Sequence, residues 1–143
     1  MALGALAALG EAALERSYRK TLAALDDRDR LVLVAEQGDE IVGMAQLALS
    51  GATNADHRAE VQRVGVAAAA RRRGVGRGLM AAVENAARGH GITLLWLTTH
   101  DGTDACAFYE AIGYTKLGVM PNYSRRPDGT LWPGAFYFKE LPA

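Results

Sequence analysis

The residues best suited to chemistry lie in one run, Arg71-Arg72-Arg73-Gly74-Val75-Gly76, followed directly by Arg77. Glycines at alternate positions let the backbone approach a ligand with no Cβ atoms in the way. A helix is expected to open at about Arg77 and to aim its unpaired N–H groups and positive dipole end at this loop. A diphosphate there would gain backbone hydrogen bonds, dipole attraction and fork-shaped guanidinium donors together. A solvated charge run is the plain alternative, and the adjoining Gly-x-Gly and helix start argue against it. The spacing Gly74-x-Gly76-x-Gly78 does not fit a G-x-G-x-x-G dinucleotide fingerprint, and no acid ends the next strand at Thr98. No Gly-Lys-Ser/Thr is present, so a P-loop is excluded as well. His57, His90 and His100 lack ligand spacing, so no metal site is expected. Cys106 reads as a small buried hydrophobe rather than a nucleophile.

Several elements must position that loop. Leu14, Tyr18, Leu22 and Leu25 recur at helical spacing, which predicts an amphipathic helix over 11–25, with a weaker turn over 3–9. The stretches 31–36 and 41–49 are rich in β-branched and apolar residues and flank a Gln-Gly-Asp-Glu turn, an antiparallel hairpin. A third strand covers 59–66, and Gly65 within it suggests a bulge or a close backbone approach. Leu79, Met80, Val83, Ala86 and Ala87 give one apolar helix face, ended by Gly89-His90-Gly91. The run 92–98 is apolar throughout, as for a strand covered on both faces. Strand, helix and strand then make a right-handed βαβ crossover. Thr103 or Asp104 should cap a short helix bearing Ala105, Phe108, Tyr109 and Ile112, ended by Gly113. A strand over 114–119, a loop over 120–133 with P-N-Y and P-D-G turn signals, and a last strand over 134–141 complete the chain.

The 143 residues suit one domain, and no repeat or internal boundary interrupts it. Lys+Arg and Asp+Glu balance at 16 each. A general nucleic-acid binder rests on excess positive charge, so none is expected here. A single cysteine permits no intrachain disulfide. No apolar run approaches the ~20 residues of a membrane span, and the first basic residue, Arg16, stands on the wrong side for a signal peptide. The reading is a cytoplasmic protein with no membrane partner.

The order helix, hairpin, strand, Gly/Arg loop with helix, strand, short helix, strand, strand resembles the GNAT superfamily of acyl-CoA-dependent N-acetyltransferases. Its pattern Arg/Gln-x-x-Gly-x-Gly/Ala falls on Arg71, Gly74 and Gly76. A second pattern, F-Y-x-x-x-G-Y/F, falls on Phe108, Tyr109, Gly113 and Tyr114. Further likeness is to the tabtoxin resistance protein group: R-A-E-V-Q at 58–62, P-x-Y at 121–123, P-D-G-x-L at 127–131 and A-x-Y-F-K-x-L at 135–141. The resemblance implies an α/β (α+β) fold with a mixed, mostly antiparallel central sheet flanked by helices. It also implies acetyl-CoA as co-substrate, no metal, and a small amino-acid-like or toxin-like amine as acceptor.

That reaction needs a base for the amine, and Glu60, at the start of the central strand, is the candidate. The resemblance implies that a backbone N–H around Val64, Gly65 and Val66 binds the developing oxyanion. It likewise gives Tyr109 the role of acid toward the departing thiolate, and Arg71, Arg72, Arg73, Gly74, Val75, Gly76 and Arg77 that of holding the cofactor. Glu60 could instead be a surface carboxylate paired with Arg58 or Arg63, and Tyr109 a core aromatic. Tyr123 and Trp132 could wall the acceptor pocket or cover the core. Relatives usually carry Pro at Ala68 and Gly at Arg72, and the tabtoxin resistance group carries an acid at Thr98. A non-catalytic acyl-CoA sensor would keep the loop and lose the chemistry.

Nothing before Leu31 reads as a strand, so the family's first strand and first helix are expected to be missing. An uncovered hairpin edge invites another chain, and the last strand (Phe136, Tyr137, Phe138) could share apolar surface too. A homodimer is therefore expected, unless the N-terminal helix covers the edge or a first strand lies upstream.

Overall fold

Alternating side chains set up three antiparallel strands, β1 (Arg30–Gln37), β2 (Glu40–Leu49) and β3 (Arg58–Val66). The molecule is represented by a computed structural model, and the structure describes residues 30–71 and 74–142. The expected helix over 11–25, the absence of a strand before Leu31, and Arg72 and Arg73 lie outside the described residues. A short 3-10 turn, Ala68–Ala70, leads from β3 to the Gly/Arg loop. Then follow α1 (Val75–Gly89), β4 (Leu94–His100), α2 (Asp104–Ala111), β5 (Thr115–Arg125) and β6 (Leu131–Glu140). The sheet order is β1-β2-β3-β4-β6-β5, and all neighbours are antiparallel except β3 and β4. This is the mixed, mostly antiparallel sheet expected from the sequence.

Both helices lie on one face of the sheet. Leu79, Met80, Val83 and Ala87 of α1 are buried with Val42, Leu47, Val61 and Val64 of the sheet. Ala105 and Tyr109 of α2 join the same core beside Leu95, Leu97 and Tyr137. Each fully buried Leu or Val stabilises the fold by about 1.5–3 kcal/mol. Among the described residues no helix is long and apolar enough to cross a membrane.

Three expectations are corrected and one is narrowed. The helix opens at Val75 rather than Arg77, because Gly74 at φ 77° turns the chain directly into it. The β3 bulge lies at Arg63 and Val64 rather than at Gly65: from Met44 to Gln46 β2 advances two residues while β3 advances three, and Arg63 has φ 51°. The close approach at Gly65 is real, since its carbonyl oxygen lies 3.3 Å from where a Cβ on Gly43 would stand. The strand expected at 92–98 runs from Leu94 to His100 and alternates, with Leu95, Leu97 and Thr99 buried and the other face half-covered.

The loop expected over 120–133 is mostly strand. P-N-Y forms a bulge instead of a turn: from Met120 to Ser124 β5 advances four residues while β6 advances two, with Asn122 at φ 58°. Only 126–130 remain as a turn, closed by Arg126 N–H to the Thr130 carbonyl at 2.7 Å and by Asp128 accepting from Thr130. The last strand is consequently interior, between β4 and β5, and the outer strands among the described residues are β1 and β5.

Candidate active site

The parallel pair β3–β4 is the frame of the site. It is joined only at Arg58–Leu94, Ala59–Leu95 and Glu60–Trp96. Beyond those three pairs β3 continues to Val66 and β4 to His100 without pairing with each other. The two strands therefore open as a fork, with backbone N–H and C=O groups of one limb turned toward the other. Buried backbone groups need partners, and an extended amide-bearing ligand between the limbs would supply them. Val64, Gly65 and Val66 are all buried on one limb, next to the bulge.

The mouth of the fork leads to the N-terminus of α1. Gly74 holds the left-handed conformation, no side chain caps the helix, and no acidic residue occupies its first turn. A Cβ at Gly74 would meet nothing within 4 Å, so the glycine answers a backbone requirement and leaves open space beside it. Val75 and Gly76 are half-buried, while Arg71 and Arg77 are exposed around them. Uncapped N–H groups with flanking arginines form a cradle for an anion. Within the described part of the loop, the residues singled out from sequence gather around one helix end.

Glu60 and Tyr109 sit on opposite sides of the sheet. Ala59 and Val61 point into the helical core, so alternation turns Glu60 to the other face, at the apex of the fork. Among the described residues it makes no ion pair with Arg58 or Arg63; its partner is Gln62, whose Nε2 donates to Oε1 at 2.7 Å. Tyr109 is 1% exposed and lies edge-on to Phe108 and Tyr114, with Tyr137 at 6.3 Å. Burial pushes its phenol far above an ordinary tyrosine, so the hydroxyl stays protonated. The structure does not bring Glu60 and Tyr109 into contact, and the sheet with its fork lies between them.

The rest of the F-Y-x-x-x-G-Y motif is structural. Gly113 takes φ 97° at the end of α2, where a side chain would also press on Lys139 at 3.4 Å. Tyr114 donates to Glu84 at 3.4 Å. Lys139 donates to both Glu84 oxygens, at 3.0 and 3.2 Å, and to the Ile112 carbonyl at 2.9 Å. Burial, then the charge of Glu84, pushes the Tyr114 phenol up as well. The charged residue at 84 in an apolar helix face is the sequence signal that was missed. Cys106 is buried and donates weakly to the His100 carbonyl.

Two aromatics shape the other face. The β5 bulge carries Tyr123 over Gly134, where any Cβ would meet its ring within 2.6–2.9 Å. Tyr123 stands edge-on to Phe136, and its hydroxyl lies 3.3 Å from Thr98 Oγ1. Trp132 stacks on His100 at 4.9 Å, donates to the Asp101 carbonyl and carries the Arg126 guanidinium on its face. A cavity of about 670 Å³ runs from His57 and Leu94 past Trp96 to Phe136 and Leu141. It lies toward the joined end of β3–β4, away from the anion cradle, and its walls are largely apolar. Among the described residues no group of three His, Cys, Asp or Glu side chains could hold a metal ion.

The model of the acetyltransferase (GNAT) family matches residues 6–114. The chain belongs to this family. Similar structures carry the same fold as this GNAT acetyltransferase. The ribosomal-protein-alanine N-acetyltransferase of Brucella melitensis is 26% identical, with a TM-score of 0.76 over 88% of this chain and 78% of that one. The ribosomal-protein-S18-alanine N-acetyltransferase of Escherichia coli is 21% identical, with a TM-score of 0.73 over 87% and 77%. A Salmonella typhimurium structure that holds its cofactor acetyl-CoA is 22% identical, with a TM-score of 0.69 over 78% of this chain and 65% of that one. In this GNAT acetyltransferase the fork has room for an extended chain, and the uncapped helix end offers free N–H groups to an anion.

Proposed function

We propose that the protein transfers an acetyl group from acetyl-CoA to the primary amine of a small, amino-acid-like molecule. The observation that carries the reading is the fork, with a carboxylate at its apex on one face and a buried phenol on the other. Acetyl-CoA supplies the activated acyl group, a thioester carbonyl open to attack by an unprotonated amine. The cradle formed by Arg71, Gly74, Val75, Gly76 and Arg77 holds the diphosphate, and the sequence adds Arg72 and Arg73 to the same basic run. Glu60 takes the proton of the acceptor ammonium. Backbone N–H groups around Val64, Gly65 and Val66 donate to the carbonyl oxygen as charge develops on it. Tyr109 donates to the sulfur as the C–S bond breaks. Its raised affinity for the proton makes a strong hydrogen bond to the thiolate a better description than full transfer.

The acceptor class rests on the tabtoxin-resistance-like motifs at 58–62, 121–123, 127–131 and 135–141, with Thr98 and Tyr123 presenting hydroxyls on the acceptor face. A panel of amino acids and simple amines with acetyl-CoA, read as free thiol, tests it. Turnover with at least one α-amino compound is expected; a panel with no turnover favours an acyl-CoA sensor. Glu60→Gln should lower kcat and flatten the acidic limb of the pH–rate profile, and an unaltered profile would remove Glu60 from the mechanism. A homodimer would form by pairing of outer strands, β1 or the exposed β5 with Leu117, Val119 and Met120. Light scattering at micromolar concentration reads it directly, and a monomer mass refutes it.

A further inference from the structure

Three neighbouring strands bring four polar side chains together on the face away from α1. Gln62 Oε1 accepts from Arg30 Nη1 at 2.8 Å and from Gln46 Nε2 at 3.1 Å. Gln62 Nε2 donates to Glu60 Oε1 at 2.7 Å. Gln46 stands opposite Gln62 in the β2–β3 register.

The direction of this chain is set by its ends. A guanidinium only donates, and an ionised carboxylate only accepts. The amide between them must turn its oxygen to Arg30 and its nitrogen to Glu60; reversed, it would face like with like at both ends. Gln46 reinforces that choice by donating to the same oxygen. It does so at a cost, since Gln46 is 1% exposed and its own Oε1 has no partner. An unpaired buried amide oxygen is destabilising, and a methionine of similar length would avoid it. What the glutamine adds is the orientation of Gln62.

We propose that Gln62 is a positioning residue for the Glu60 carboxylate, held in its working orientation by Arg30 and Gln46. The inference rests on the reading of Glu60 as the base. Gln62 fixes Oε1 and leaves Oε2, which has no hydrogen bond among the described residues, to take the proton of the acceptor amine.

The test uses the full chain with Gln62→Met, Glu60→Gln and the double variant. Rates are measured with acetyl-CoA and the fastest acceptor from a panel of free amino acids and their methyl esters. Gln62→Met should lower kcat about tenfold, the worth of one hydrogen bond to a charged group. KM for acetyl-CoA should hold, while the melting temperature falls, because the buried Gln46 amide and Arg30 lose their acceptor. In the Glu60→Gln background the same change should have no further effect. A wild-type kcat in Gln62→Met, or a full additional loss in the double variant, overturns the proposal. Full activity in Glu60→Gln would overturn the base reading instead. A readout independent of turnover separates the two failures: the side-chain amide resonances of Gln62 should move as the Glu60 carboxyl titrates and stay fixed in Glu60→Gln. Resonances that ignore pH in the wild type refute the hydrogen bond itself.

Discussion

Two polar clusters occupy opposite faces of the same sheet, and they are built differently. On the helical face, Glu84, Lys139 and Tyr114 form a closed set in which Lys139 meets both carboxylate oxygens and the Ile112 carbonyl. On the other face, the chain from Arg30 through Gln62 ends at Glu60, and among the described residues one carboxylate oxygen of Glu60 and the Gln46 oxygen have no partner. A closed cluster resists change and ties α1, α2 and β6 together. An open one ends in a group free to act on something else. On the proposed reading of Glu60 as the base, the two clusters divide into an anchor and a tool, and hydrogen-bond accounting is what separates them.

The largest expected effect tests what the tool acts on. Gly74→Asp and Gly76→Asp each put a side chain and a negative charge into the anion cradle, and Gly74→Asp also strains a residue at φ 77°. Acetyl-CoA binding should be lost in calorimetry; undiminished affinity in both variants would separate the cradle from the cofactor. Next comes Tyr109→Phe, which should lower kcat by ~10- to 10⁴-fold with little change in cofactor affinity. A kcat equal to wild type would return Tyr109 to the core aromatics.

A smaller effect probes the anchor. Lys139→Met leaves Glu84 without its cation, with the pair only 24% and 11% exposed. The loss should approach about 3 kcal/mol in urea unfolding, while kcat of the folded variant holds. If activity falls with no loss of stability, the division into anchor and tool is wrong.

The smallest concerns His100, which lies outside both clusters. Burial, with help from the Arg126 charge, holds its imidazole below the ordinary 6.5. The unfolded chain therefore binds that proton first, so the contribution is complete above about pH 6.5 and declines as pH falls toward the lowered value. A slight drop in melting temperature below pH 6.5 is expected, and His100→Gln should remove it.

Local features of both site and fold were legible in the chain. The Gly/Arg loop and the helix after it could be read, though not the helix's first residue, because a helix start is a property of a few consecutive residues. The apolar stripe of α1 and the β1–β2 hairpin follow from periodicity in the same way. Pro121 and Asn122 misled: as turn formers they mark a turn in most contexts, but here β6 pairs on either side of them and leaves them as a bulge. Gly65 suggested a bulge or a close approach; the close approach is what it makes, and only the count along β2 shows that the extra residue lies at Arg63 and Val64.

By itself, then, the sequence determined the Gly/Arg loop that leads into a helix, the F-Y-x-x-x-G-Y turn and the family to which they belong. Tertiary structure decided the fork, the separation of Glu60 and Tyr109 to opposite faces, and the meeting of Arg30, Gln46, Gln62 and Glu60. Helix starts and turns are fixed by residues within a few positions of one another. Strand order, register and the point where β3 and β4 part depend on pairings between residues tens of positions apart, and those pairings exist only once the sheet has assembled.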